Sequence, residues 1–283
     1  MNTKILSAIL VLALVPLASL ACGFTIDLPE QSQPGPDIEE SITVPATGFD
    51  ETRLTISFGA GSLKLSPGAK DLVNGTVVYN VPELKPQVTS AGANVEISQG
   101  DFKNLTRFKD MKNEWDLKLG ALPMELNINA GAYDGEYELG GLSLTSLTVK
   151  DGAANVELSF SKPNATTMSV LRYETGASNV TLSGLANANF STLIFSGGAG
   201  DYELDFSGDL TNDGTVNVEV GAGSVQLIIP KDVNAKVTVE SAFTNINHSS
   251  NWTQNGNNYT QKSDGPTLTI IVKMAAGDLT ITD

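Results

Sequence analysis

The chain has 283 residues, 41% of them hydrophobic and 17% charged, a balance that excludes wholesale disorder in a chain long enough to bury a core. Its formal charge of −15 repels phosphate backbones and anionic lipid headgroups, which excludes nucleic acid as a partner. A single His and a single Cys exclude a His- or Cys-based metal cluster, a His-based catalytic triad and any intramolecular disulfide.

Residues 1–21 form the first unit. Lys4 supplies a positive start, Ile5 to Leu20 is an apolar run broken by Pro16, and small residues close it. That pattern predicts a secretion signal and is too short and too interrupted for a spanning helix. Cys22 follows in Ala18-Ser19-Leu20-Ala21-Cys22, which resembles a bacterial lipobox, with Ser19 where Leu is usual. The resemblance implies acylation of the Cys22 thiol and anchoring to the outer face of the bacterial membrane through the acyl chains. Loss of residues 1–21 removes Lys4 and no acid, so the mature chain has 16 basic against 32 acidic residues, a charge of −16. Residues 22–48 hold Pro29, Pro34 and Pro36 and no sustained periodicity, which predicts an extended acidic tether.

From residue 49 to 283 the chain is rich in Val, Ile, Thr, Asn and Gly, and period-2 alternation dominates, so the body is expected to be all-β. A block recurs in it: GAGSLKL at 59–65, GANVEI at 92–97, GAYDGEYEL at 131–139, GAANVEL at 152–158, GASNVTL at 176–182, GAGDYEL at 198–204, GAGSVQL at 221–227 and AAGDLTI at 275–281, with SAFTNI at 241–246 a degenerate copy. The starts Gly131, Gly152, Gly176, Gly198 and Gly221 lie 21, 24, 22 and 23 residues apart. A period near 22 suits one coil of a parallel β-helix or solenoid, with a few insertions elsewhere.

Stacked coils would place Leu65, Ile97, Leu139, Leu158, Leu182, Leu204, Leu227 and Ile281 in one inward column. The residues just before them, among them Lys64, Glu96, Glu138, Glu157, Glu203 and Gln226, would form an outward polar column. Gly59, Gly92, Gly131, Gly152, Gly176, Gly198 and Gly221 are expected at coil corners, where stacking leaves little room for a Cβ and the backbone takes unusual angles.

GTVVYNVPELKPQV at 75–88, NEWDLKLG at 113–120, PMELNINAGA at 123–132 and GGAGDYELDFSG at 197–208 resemble the toast-rack family of exported bacterial β-proteins. The serial GAG blocks and VEVGAGSVQLIIPKDVNAKVTVES at 218–241 are also similar to LiaF-type modules and adhesin-like β-helical domains. The resemblance covers roughly residues 50–283 and implies a right-handed solenoid at the cell envelope. It divides the body into a toast-rack amino-terminal part with longer coils at 49–125 and regular coils at 126–283.

Candidate sites are few. Asp201, Glu203 and Asp205 form the densest acidic group and a candidate metal site, although GGAGDYELD departs from the calcium nonapeptide because Asp201 stands one place early. The alternative is a solvated acidic face. Residues 243–266 set Trp252 and Tyr259 among amides that include Asn255, the usual composition of a carbohydrate platform; the alternative is a β-excursion whose aromatics cover the last coils. His248 is expected in a solvated loop. The functional expectation is a non-catalytic surface lipoprotein without cofactors, binding a glycan or an envelope protein. The alternative is a carboxylate-dependent glycosidase or lyase on the same scaffold.

Overall fold

A computed structural model describes residues 34–100 and 110–283. Cys22 and the signal segment lie outside the described residues. Among those described, the fold is all-β, with no α-helix. In chain order the strands are β1 (Ile38–Val44), β2 (Thr52–Ala69), β3 (Val73–Tyr79), β4 (Gln87–Ala91), β5 (Asn94–Ser98), β6 (Asn113–Gly120), β7 (Pro123–Glu138), β8 (Ser143–Asp151) and β9 (Ala153–Ser159). They continue with β10 (Met168–Ser183), β11 (Phe190–Asp205), β12 (Gly214–Ile228), β13 (Asn234–His248), β14 (Thr253–Asn255), β15 (Asn258–Gln261) and β16 (Thr267–Thr282). The folded body begins earlier than the composition suggested: β1 lies inside the expected tether and pairs antiparallel with β3 from Ile38 to Val44. Its alternation of exposed Glu39 and Ser41 with buried Ile42 and Val44 is a strand pattern that the flanking prolines obscured.

The long strands β7, β10, β11, β12 and β16 lie side by side in parallel register, β8 and β9 together making the rung between β7 and β10. Each rung is two strand arms joined at the GA corner. Period-2 geometry then sends alternate residues of both arms inward. The register confirms one inward column running Leu65, Tyr137, Leu158, Leu182, Leu204, Leu227, Ile281. Two expected members are corrected. Leu139 lies one inward position further on, because Tyr137 pairs with both Leu65 and Leu158. Ile97 belongs to another arm, since β5 pairs with Arg53–Ser57 and sets Ile97 against Ile56.

The first correction has a packing cause. At 131–139 the block carries Gly135 where β2 and β9 place Leu63 and Val156. A Cβ on Gly135 would sit 2.8 Å from the Tyr133 ring and 3.2 Å from that of Tyr137. The two tyrosines fill the vacated volume, stacked at 6.5 Å with their hydroxyls 3.0 Å apart. Thus GAYDGEYEL is in register without an insertion; large flanking side chains replace the missing central one.

Stacking does not follow chain order at either end. β2 lies between β7 on one side and β5 with β6 on the other, although both follow it in sequence. At the far end β16 lies between β12 and β13. The degenerate block is in register there, with Phe243 opposite Ala276 and Ile246 opposite Leu279.

The corner glycines do two different jobs. Gly131, Gly152, Gly176, Gly198 and Gly221 would each bring a Cβ to between 2.3 and 3.2 Å of the carbonyl oxygen of the glycine one rung below, down to Gly59. The expected crowding is there, but the unusual backbone angle is not: it falls two residues later, at Gly61, Gly200, Gly223 and Gly277, with φ between 125° and 157°. Gly92 is no coil corner. It turns the antiparallel β4–β5 hairpin at φ 61°, with no backbone within 4 Å of a Cβ.

Two substitutions separate these roles. Gly223→Ala combines a left-handed φ of 130° with a Gly200 carbonyl oxygen 1.8 Å from the new Cβ, so it should cost roughly 2–5 kcal/mol of stability. Gly221→Ala, with an extended backbone and its contact at 2.6 Å, should cost about 1–3 kcal/mol. Denaturant melts should rank the two in that order, with Glu203→Gln on the outward face close to the parent protein.

Candidate functional site

The second arms of the rungs present a continuous outward face. Its columns are in register: Lys64, Glu136, Glu157, Thr181, Glu203, Gln226 and Thr280 form one, and Ser62, Asp134, Asn155, Asn179, Asp201, Ser224 and Asp278 the other. Between them runs a groove of about 820 Å³ lined by both columns. Side-chain amides stitch the rungs together: Asn155 Nδ2 donates to Asp134 Oδ1 at 3.0 Å, and Asn179 Nδ2 to Asn155 Oδ1 at 3.1 Å. Lys64 Nζ lies 2.7 Å from Glu136 Oε1 and is, among the described residues, the one cation lining the groove. Asp134, Glu136, Glu157, Asp201, Glu203 and Asp278 make its charge strongly negative. This face offers cations and hydroxyl-rich ligands a regular array of acceptors, repeating at about the 4.8 Å inter-strand spacing. Glu138, expected in the outward column, is turned aside to cap a loop. Its Oε1 accepts from the Gly140 amide at 2.7 Å and its Oε2 from the Ser159 hydroxyl at 2.8 Å. Burial pushes the Glu138 carboxyl up, but these donors together with Ser161 hold it below the usual carboxylate range.

The candidate metal triad does not converge. Asp201, Glu203 and Asp205 alternate along one strand, which separates successive carboxylates by about 7 Å of backbone. Asp205 spends both oxygens on Ser207, accepting from its amide and its hydroxyl at 2.8 Å each. Among the described residues no group of three or more His, Cys, Asp and Glu is placed to hold a metal ion.

The aromatic platform is also corrected. Trp252 is 4% exposed and Tyr259 2%, so neither ring offers a face to a ligand. Tyr259 lies on β15, which pairs antiparallel with the first arm of β13, and its hydroxyl accepts from Gln254 Nε2 at 3.0 Å. Asn255 is exposed at the turn of the β14–β15 hairpin, where it pairs with Asn258. The segment is the β-excursion of the alternative reading, and its aromatics cover the end of the core. His248 is exposed as expected, but it ends β13 and packs its ring edge-on against Tyr259 at 5.3 Å.

Composition gave no sign of a polar cluster behind the corner. The Tyr173 hydroxyl donates to Asp151 Oδ2 at 2.7 Å, Thr175 donates to Oδ1, and Ser178 reaches Oδ1 at 3.2 Å while accepting from the Ala154 amide at 2.9 Å. Burial pushes the Tyr133, Tyr137 and Tyr173 hydroxyls well above the ordinary tyrosine range, with the Asp151 charge adding to the effect. These phenols sit in the structural core and do not line the groove. A phenol whose pKa is raised by folding stabilises the fold fully below its unfolded value, about pH 10. That stabilisation is lost as pH rises towards the folded value. Tyrosinate absorbance should therefore lag behind that of free tyrosine above this pH, then rise together with the loss of far-ultraviolet circular dichroism. Tyr173→Phe should cost about 1–2 kcal/mol in a urea melt at neutral pH, because Asp151 loses a buried donor.

Among curated proteins none is similar enough to match. The fold is similar to the crystal structure of a candidate cell adhesion protein from Clostridium sporogenes, over 87% of this chain and 99% of that one, at 22% identity and a TM-score of 0.52. A candidate adhesin from Bacteroides fragilis is similar over 87% of this chain and 97% of its own, at 12% identity and a TM-score of 0.39. Residues 33–182 match the family described as the N-terminal domain of toast_rack, DUF2154. That is more than half of the chain and includes the YNVPELKP and EWDLKL stretches, so the chain belongs to the toast-rack family.

Proposed function

We propose that the chain is a non-catalytic, adhesin-like surface protein, a right-handed β-solenoid held at the outer face of the bacterial membrane by an acylated Cys22. One observation carries the reading: the rungs from β2 to β16 add the same two outward columns, so the repeat builds an extended recognition surface and no convergent set of reactive groups. General acid–base chemistry on carboxylates calls for one carboxyl held in its neutral form by burial or a close like charge. The groove carboxylates stand instead on an open sheet face. The solved relative from Clostridium sporogenes bears an adhesion name, which agrees with this role. The acidic, amide-rich groove suits a glycan or an envelope protein with cationic or hydroxyl groups. Residues 22–37 then serve as the link between the anchor and β1.

Two measurements test the two halves of this reading. Cys22→Ala should shift the protein from the membrane fraction to the soluble fraction; equal retention of the variant would remove the anchor. For the surface, a glycan array with purified protein should give binding that weakens when Glu157 and Glu203 are both changed to Gln, while a reducing-end assay on the same glycans shows no turnover. Catalytic release of sugar ends that one acidic substitution abolishes would reverse the reading.

A further inference from the structure

The parallel stack ends in space at β13. Its first arm is covered: Ala235–Thr238 pair antiparallel with β15, and the Val239 amide donates to the Asn257 carbonyl at 2.9 Å. Its second arm is open. From Glu240 to His248 the strand pairs with β16 on one side, and among the described residues no strand pairs with it on the other. A strand paired on one side leaves half its amides and carbonyls directed away from the sheet, where they form a template for another strand. Proteins ordinarily blunt such edges with charge, Pro or a bulge. The segment Thr244-Asn245-Ile246-Asn247-His248 contains no Asp, Glu, Lys, Arg or Pro. Beside it stands Phe243, 83% exposed, in the register position that Ala276, Ala222, Ala199 and Ala177 occupy on successive rungs.

Charge indicates what docks there. The chain carries −15 in all, yet residues 231–283, which include β13 to β16, hold Lys231, Lys236, Lys262 and Lys273 against Asp232, Glu240, Asp264, Asp278 and Asp283, a net of only −1. Two copies repel one another strongly across the acidic groove face and far less at this nearly neutral tip. We propose that the free edge of β13 docks a second copy of the chain, the two edges pairing antiparallel across a two-fold axis near Ile246. In that pairing Thr244 faces the partner's His248 and Asn245 faces the partner's Asn247, so no like charges oppose each other. Phe243 of each copy loses its exposure against the other. The inference deepens the adhesin-like reading by naming its partner, and rests on it only for the biological use. β1 and β13 lie towards opposite ends of the strand order, so copies held by their N-terminal ends present this edge outward.

Light scattering on the purified full chain, up to roughly 100 µM, should show twice the monomer mass. Phe243→Lys and Asn247→Lys, both at exposed positions, should each return it to the monomer mass with an unchanged circular dichroism spectrum. Ser191→Lys, an equal charge on the exposed face of β11, should leave the dimer intact. A monomer throughout that range, a dimer that both edge variants retain, or open-ended higher oligomers would overturn the proposal. Beads carrying the chain by its N-terminal end distinguish the two readings. Clustering lost in the edge variants supports both, and a solution dimer without bead clustering keeps the docking edge but removes its adhesive use. A monomer whose beads still bind glycans keeps the adhesin-like reading and discards this one.

Discussion

The structure depends on how closely one rung's corner approaches the next. At Gly198 the carbonyl of Gly176 lies where a Cβ would meet it at 2.3 Å, and at Gly200 that of Ser178 lies at 1.8 Å. At these two positions a side chain would push the rungs apart, although the same columns admit Ala275 beside Gly221 and Tyr133, Ala154 and Ser178 on other rungs. Once the corners stack, the arms must run parallel at about the 4.8 Å inter-strand spacing, and their side chains must alternate inward and outward in columns. The ladder of Leu and Ile inside, the amide and carboxylate columns outside and the groove between them all follow from that one contact.

The same constraint explains the irregular places. Where the inward column of Leu63 and Val156 has Gly135, the backbone cannot collapse to fill the gap because the paired neighbouring strands fix the rung spacing. Tyr133 and Tyr137 close it instead, and bring with them the hydroxyl cluster around Asp151. At the ends, a parallel rung exposes a strand edge and the apolar interior. The chain answers by interleaving: β5 and β6 lie beside β2, and β16 lies between β12 and β13. The Trp252–Tyr259 hairpin covers the interior at one end. Among the described residues the second arm of β13 has no strand on its far side.

Much of this was legible in the sequence because period-2 alternation and a repeated Gly-Ala corner are strong, local signals. The inward and outward columns from Leu158 to Ile281 could be written down from spacing alone, as could crowding at Gly131, Gly152, Gly176, Gly198 and Gly221. What spacing could not supply was register between distant segments. GANVEI has the repeat's letters, but pairing with Arg53–Ser57 puts it on a different arm. Strand β1 was hidden by flanking prolines and acids, and its pairing with β3 is non-local. The site was less legible than the fold. Trp252 and Tyr259 have the composition of a glycan platform, and only the antiparallel pairing of β15 with β13 shows that their rings face inward. Asp201, Glu203 and Asp205 are close in sequence, but a strand spreads alternate residues along its length and Ser207 occupies the third carboxylate.

The interleaved parallel stack is the claim on which the groove, the end cap and the open edge all rest. Disulfide trapping reaches it directly. Parallel neighbours in register bring their Cα atoms to a separation that a disulfide spans, whereas residues two rungs apart are out of reach. In a chain with Cys22→Ser, cysteines at Ala222 and Ala276, which are register partners, should oxidise to a disulfide in nearly every molecule. Cysteines at Ala222 and Phe243 should stay reduced, because β16 lies between their strands. The opposite pattern, with Ala222 and Phe243 bridged and Ala222 and Ala276 free, would mean that the rungs stack in chain order and would contradict the account.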